Sequence, residues 1–465
     1  MGRPVIDRSA PPPPREAGPF RFPPFLRGRL SNGLNVIAAH HPGVPLVSLE
    51  MVVPGGGQHD PEGRAGLATL TASVIDEGTA RRSSIEIAAL AEHLGGYLVT
   101  GADWDVGYLA TGLLADHTRG GLDLLAEVAT TPTFPDAEVE RLRQLRLAEI
   151  LRRGQDPGAL ADDRFNRLVY RGTPYANPLL GTAESIQGID RDALAGFYSG
   201  HYGFAGSTLI AVGELDPEDL LRDAEAAFGA AGPTAPPPPQ PEIRPPAPAG
   251  VSVHIVDRPG AAQTELRVGQ VGVPRMHPDY TVLVVMNTLL GGKFTSRINL
   301  NLRERHGYTY GANTRFHPRL GPGPFTMAAA VETAAAANAA REALHEIRRV
   351  REALVEPEEL EETLGYVLGV FPYSLQTVGD ITRRLETIVV YGLPDDYYAG
   401  YLERIAAITR EQLLDAARRH LDPDHMTIVA VGPAATLEPQ FEGLGPVSVW
   451  TPEGEPRIAA ASERT

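Results

Sequence analysis

The chain has 465 residues, 43% hydrophobic and 22% charged, with a net charge of −16 from 42 basic and 58 acidic side chains. That length exceeds a single hydrophobic core and points to two or three domains, while the acidic balance opposes wholesale nucleic-acid binding, which needs a basic surface. With no cysteine there is neither a disulfide framework nor a thiolate metal site, and no apolar run is long enough to span a bilayer.

Residues 1–28 are proline-rich and lack the apolar core of a secretory signal, so they read as a flexible leader on a cytoplasmic protein. A first domain is expected over 29–230. It opens on Asn32-Gly33, a hairpin signal, before the strand-like Leu34–Ala38, and a second apolar run, Val47–Val53, ends at Gly55-Gly56-Gly57. Ser83 and Glu86 form a capping box at the head of a helix that ends at Gly95-Gly96. An arginine-rich amphipathic helix follows over Glu138–Arg153, and the apolar run Ser207–Gly213 closes the half.

Residues 231–250, with the run Pro236–Pro239, cannot join a sheet and read as a semi-rigid linker. A second domain is expected over 251–440, followed by a tail over 441–465. It opens on Val251–Val256 and Thr264–Val268, continues through helical patterns at Ala334–Leu354 and Pro357–Val370, and closes on Met426–Gly432. That last run echoes Ser207–Gly213 almost residue for residue. The fold expected is therefore α+β, two related domains that each pack a mixed β-sheet with α-helices.

Within the first half, Gly66–Thr79 is a short helix of small and apolar residues stopped by Gly78-Thr79. With the glycine-rich turn before it and the capped helix after it, this segment resembles the zinc-site region of the pitrilysin, or M16, metallopeptidases. In that family the helix carries His-x-x-Glu-His. Two histidines four apart share one helical face and bind zinc, and the glutamate polarises the attacking water. On this chain the first histidine falls at Thr69, the glutamate at Ala72 and the second histidine at Ser73. The family's third ligand, a glutamate on a later helix, falls at Glu149. Hydroxyls are poor zinc ligands at neutral pH and alanine cannot act as a base, so this chain is expected to bind no metal there and not to cleave peptides alone.

Two other groupings offer metal-type side chains. Glu342, His345 and Glu346 share a helical face but lack the second copy of a di-metal bundle, and His40-His41 before Pro42-Gly43 reads as a turn.

In the second half, Leu289–Tyr310 contains Leu289-Leu290-Gly291-Gly292-Lys293-Phe294-Thr295-Ser296-Arg297, then Leu302-Arg303-Glu304, then Gly307 and Tyr308-Thr309-Tyr310. The phosphate-loop spacing is absent. The segment is similar to the pitrilysin-family signature Leu-Gly-Gly-x-Phe-x-Ser-Arg-Leu, whose later arginine and tyrosine reach the substrate backbone beside the zinc. Here they correspond to Arg303 and Tyr310. The resemblance runs from about Leu30 to about Gly432 and includes Thr173-Pro174-Tyr175 and Gly181-Thr182.

Some bacterial members of this family resemble mitochondrial processing peptidase in working as pairs, one subunit holding zinc and the other completing the chamber. The resemblance therefore implies a non-catalytic subunit that docks with a zinc-binding sister and offers Arg303 and Tyr310 to an unfolded peptide substrate. A purely structural scaffold subunit and a non-cleaving peptide-binding homodimer are the alternatives.

Overall fold

The computed structural model describes residues 21–457 except Pro233 and Ala235. Residues 1–20 of the expected leader and 458–465 of the expected tail lie outside the described residues.

Twelve strands form two six-stranded sheets. The first contains β1 (Leu26–Arg29), β2 (Asn35–His40), β3 (Leu46–Val53), β4 (Tyr97–Ala102), β5 (Gly107–Leu114) and β6 (Thr208–Gly213), in the order β1-β2-β6-β3-β5-β4. The second contains β7 (Ser252–Asp257), β8 (Gln263–Val271), β9 (Thr309–Phe316), β10 (Pro324–Glu332), β11 (Thr427–Gly432) and β12 (Val447–Trp450), in the order β12-β7-β11-β8-β10-β9. Both sheets are mixed, because β6 runs parallel to β2 and β11 parallel to β7 while the remaining inner pairs are antiparallel. The two echoing runs of the sequence are β6 and β11. All six residues of each are buried, the signature of a central strand covered on both faces.

The sheets differ at one edge. In the first, β1 enters from the end of the expected leader and pairs antiparallel with β2 through the Asn32-Gly33 turn, where Gly33 adopts φ 97°. In the second, β12 arises within the expected tail and pairs parallel with β7. Phe22, also within the expected leader, stacks on Tyr398 of the second half at 5.1 Å.

The halves exchange helices. The helix Pro157–Val169 follows the first half's arginine-rich helix but packs on β11 and β8 of the second sheet. The helix Val378–Tyr391 of the second half packs on β6 and β3 of the first. Phe165, Val169 and Tyr170 thus share a core with Val256, Val429 and Val431, while Ile37, Val52, Ile210 and Val212 share one with Ile381, Leu385 and Ile388. Arg267 on β8 secures the first exchange: its buried guanidinium lies 2.6 Å from Asp162 Oδ1, and Nη2 donates to Gly158 O at 3.1 Å. Each half thus covers a sheet face of the other that would otherwise expose an apolar surface. The proline-rich connection is strapped down rather than loose, with Ile243 buried and Gln58 hydrogen-bonded to Gln240.

Candidate functional site

The helix Leu67–Val74 begins at Gly66, whose φ of 89° turns the chain into the helix. Asp60, from the preceding loop, accepts hydrogen bonds from Gly66 N and Ala68 N, both at 2.7 Å, and so satisfies the helix's free amides. Burial pushes the Asp60 carboxyl up to about 7, against the amides that favour its ionised form. The loop carrying Pro178–Gly181 closes over this end. A Cβ on Gly66 would meet Gly181 N at 2.8 Å, and one on Gly181 would meet Ala65 O at 2.4 Å, so only glycine lets the two backbones approach.

On this scaffold Thr69 and Ser73 point at a third side chain. Arg146, from the helix Asp136–Arg153, is 7% exposed and donates from Nη1 to Thr69 Oγ1 at 2.8 Å and from Nη2 to Ser73 Oγ at 3.0 Å. Its Nε lies 3.6 Å from Glu149 Oε2 one turn along the same helix. The other valences are also used: Thr69 Oγ1 donates to Leu179 O at 2.5 Å and Ser73 Oγ to Thr69 O at 2.8 Å. Ala72 is fully buried. The two hydroxyl positions expected to match metal ligands thus both bond a guanidinium, and Glu149, expected as the third, is its ion-pair partner. Desolvation lowers the Arg146 pKa, and Glu149 opposes that shift.

These residues do not fit a zinc ion. The two hydroxyls are committed to hydrogen bonds, no imidazole bonds to them among the described residues, and a fixed positive charge stands within 3.0 Å of both oxygens. Arg146 was not singled out from sequence, although its position three residues before Glu149 places the two on one helical face.

Elsewhere, Glu346 is buried and accepts from Asn301 Nδ2 at 2.8 Å and Arg349 Nη1 at 3.0 Å, while His345 on the same helix is exposed. Glu342 accepts from the same Asn301 at 3.0 Å, so the two glutamates are tied up in hydrogen bonds while His345 faces solvent. His40 Nδ1 lies 2.9 Å from Leu215 O. A grouping unseen in the sequence brings His277, Asp279 and His420 together. His420 Nε2 sits 2.6 Å from Asp279 Oδ2, but Arg419 lies 3.0 Å from that same oxygen and already neutralises it.

Most of the second-half signature holds the fold. Gly291 lies against β9, where a Cβ would meet Thr314 Oγ1 at 2.4 Å. Lys293 reaches Glu362 at 2.8 Å, and Arg297 grips Glu359 through two bonds of 2.7 and 2.6 Å. Arg303 and Tyr310 differ. Residues Leu300–Arg305 wind as a π-helix, with His306 N donating to Asn301 O at 3.1 Å, a form of turn that often marks functional sites. Arg303 rests on the exposed Phe294 ring at 4.5 Å and lies 3.5 Å from Glu304. Tyr310, on the edge strand β9, is 89% exposed. Among the described residues no hydrogen bond or ion pair joins either to Thr69, Ser73 or Arg146.

Residues 35–183 match the family described as Insulinase (Peptidase family M16), and residues 188–365 match Peptidase M16 inactive domain. The chain belongs to the M16 family. The second match begins before the linker, so its limits differ from the structural halves, in which β6 belongs to the first sheet. An M16 relative from Rickettsia bellii, named an uncharacterized zinc protease, is 26% identical over 72% of this chain and 80% of its own length. A Helicobacter pylori protein named a non-peptidase homolog is 23% identical over 83% of this chain and 89% of its own. The solved M16 inactive domain from Pseudomonas fluorescens is 28% identical and covers 88% of this chain and 98% of its own, with a TM-score of 0.82. The match to the inactive domain and to a non-peptidase homolog supports a non-catalytic member of the family, and the helix Leu67–Val74 has Thr69, Ala72 and Ser73 where the resemblance expects the metal motif. No helix among the described residues is long and apolar enough to cross a membrane.

Proposed function

We propose that this chain is the non-metal-binding subunit of a two-chain M16 zinc peptidase, and that it presents Arg303 and Tyr310 to a peptide held at the zinc of a sister subunit. The observation that supports this reading is the exposure of Tyr310. Its ring stands 89% in solvent on an edge strand, and the only ion-pair partner of Arg303 among the described residues is its neighbour Glu304. Neither residue has a packing role of the kind that Gly291, Lys293 and Arg297 fulfil. An arginine offers forked donors to a peptide carbonyl or developing oxyanion, and a phenol adds another. The unfolded peptide would lie extended against a sheet edge of the sister.

The sister, by this reading, has the intact His-x-x-Glu-His helix. The test is hydrolysis of a quenched basic peptide by this chain alone, by such a sister alone, and by both at equal concentration. Activity mainly in the mixture, abolished by a chelator, is the expected result. No gain on mixing would overturn the proposal and leave a scaffold or peptide-holding role.

A further inference from the structure

At the seam between the halves, a cavity of about 380 Å³ is walled by Ile150, Leu160, Leu180 and Val256 and roofed by the hairpin that follows β12. Arg164, on the exchanged helix Pro157–Val169, lines it and is 7% exposed. No acid meets this guanidinium. Among the described residues it makes neither an ion pair nor a hydrogen bond, and Nη2 is sealed without a partner beneath Gly454, where a Cβ would lie 3.5 Å away. Its one compensation is the face of Trp450, 3.9 Å from the guanidinium carbon. Arg167, also lining the cavity, is a second arginine without an ion pair among the described residues, whereas Arg153 is neutralised by Asp163 at 2.8 Å. Glu453 lines the cavity from the roof but pairs with neither arginine.

The local charge excess is felt by its neighbours. Burial, with Arg167 beside it, lowers the Arg164 pKa to about 10. Burial and then the Arg164 charge hold His254, which accepts from Trp450 Nε1 at 3.3 Å, down to about 4. A buried cation without a counter-ion is unfavourable, and here the total charge of the chain is −16, so ample acidic residues exist elsewhere that do not fill this place. An apolar chamber with a few convergent polar groups is the usual form of a small-molecule site.

We propose that this cavity binds an apolar monocarboxylate, its carboxylate on Arg164 and Arg167 and its hydrocarbon chain along Ile150, Leu160, Leu180 and Val256. The proposal is independent of the peptidase reading. Two sources share this chemistry, a medium-chain fatty acid and the C-terminal residue of an apolar peptide. Binding is read on the full chain by calorimetry, and by the fluorescence of Trp450 after Trp104→Phe removes the other of the two tryptophans. The probes are decanoate, decanol, and an acetylated peptide ending in leucine with its carboxyl free or amidated.

Saturable binding of decanoate or of the free-acid peptide is expected, at least about tenfold tighter than decanol or the amide, because a charged hydrogen bond is at stake. Which acid binds more tightly identifies the source. Arg164→Met and the milder, surface-lying Arg167→Gln are each expected to weaken binding. Equal affinity for acid and neutral probes, no saturable binding by either method, or unchanged affinity in Arg167→Gln together with a folded Arg164→Met would overturn the proposal.

Discussion

Arg146 Nη1 lies 2.8 Å from Thr69 Oγ1, and that contact decides the chemistry of the first half. The helix geometry that elsewhere aims two imidazoles at a metal here aims two hydroxyls at a guanidinium, with Glu149 behind it. The Arg146 guanidinium joins both hydroxyls, so the packing of these two helices is satisfied without a metal.

Restoring the motif alone is therefore expected to fail. A variant with Thr69→His, Ala72→Glu and Ser73→His should bind no stoichiometric zinc, because Arg146 repels a second cation in a buried site. Adding Arg146→Leu should yield one zinc per chain by metal analysis. Zinc in the three-fold variant would show that the guanidinium is displaceable.

If Arg303 and Tyr310 serve a sister's zinc, Arg303→Ala should lower the pair's kcat by about a hundredfold, the loss typical of an oxyanion donor. Tyr310→Phe should cost less, since it removes one hydroxyl and leaves the ring. Sedimentation should show assembly intact in both. Unchanged turnover in Arg303→Ala would remove that residue from the chemistry.

The exchange of helices predicts a single unfolding event. Phe165 is 1% exposed, and a Cβ on Gly269 of β8 would lie 2.9 Å from its Cζ, so the ring of one half fills the space left by a glycine of the other. Phe165→Ala should destabilise the chain by about 3–5 kcal/mol, lowering one shared urea transition instead of splitting off one half.

The second exchange should make stability pH-dependent. Glu50 on β3 and Glu386 on the helix Val378–Tyr391 face each other across the seam, with Asp103 also near Glu386 and Arg383 facing both glutamates. Burial raises both carboxyls above their usual 4.5, Glu50 and then Asp103 raise Glu386 further, and Arg383 opposes the rise at both. The folded state therefore holds protons that the unfolded state releases. Stability should be full below about 4.5 and fall as pH rises through neutrality. Glu386→Gln should flatten that fall in urea titrations at several pH values, while an equally steep decline would exclude this pair as its source.

Much of the architecture was legible because it rests on local rules. The capping box at Ser83 and Glu86 is present as expected, the Asn32-Gly33 turn joins β1 to β2, and the echoing runs became the central strands β6 and β11. That Thr69, Ala72 and Ser73 stand in the place of a metal motif is what the family resemblance implies, and helical spacing adds only that the three occupy neighbouring positions. The edge strands β1 and β12 were hidden in stretches read as leader and tail, because four residues gain strand structure only from a partner already in place.

The sequence by itself determined two related α+β halves, which follow from periodicity and turn chemistry acting over a few positions. That the helix Leu67–Val74 lacks metal ligands and that Arg303 and Tyr310 belong to a retained signature is what the resemblance to the M16 family implies. Only the tertiary structure decided that Arg146 fills the place between Thr69 and Ser73, that the halves trade helices across their seam, and that Arg164 is buried there without an acid. Each depends on side chains tens or hundreds of residues apart, where burial strips away water and leaves the choice of partner to packing.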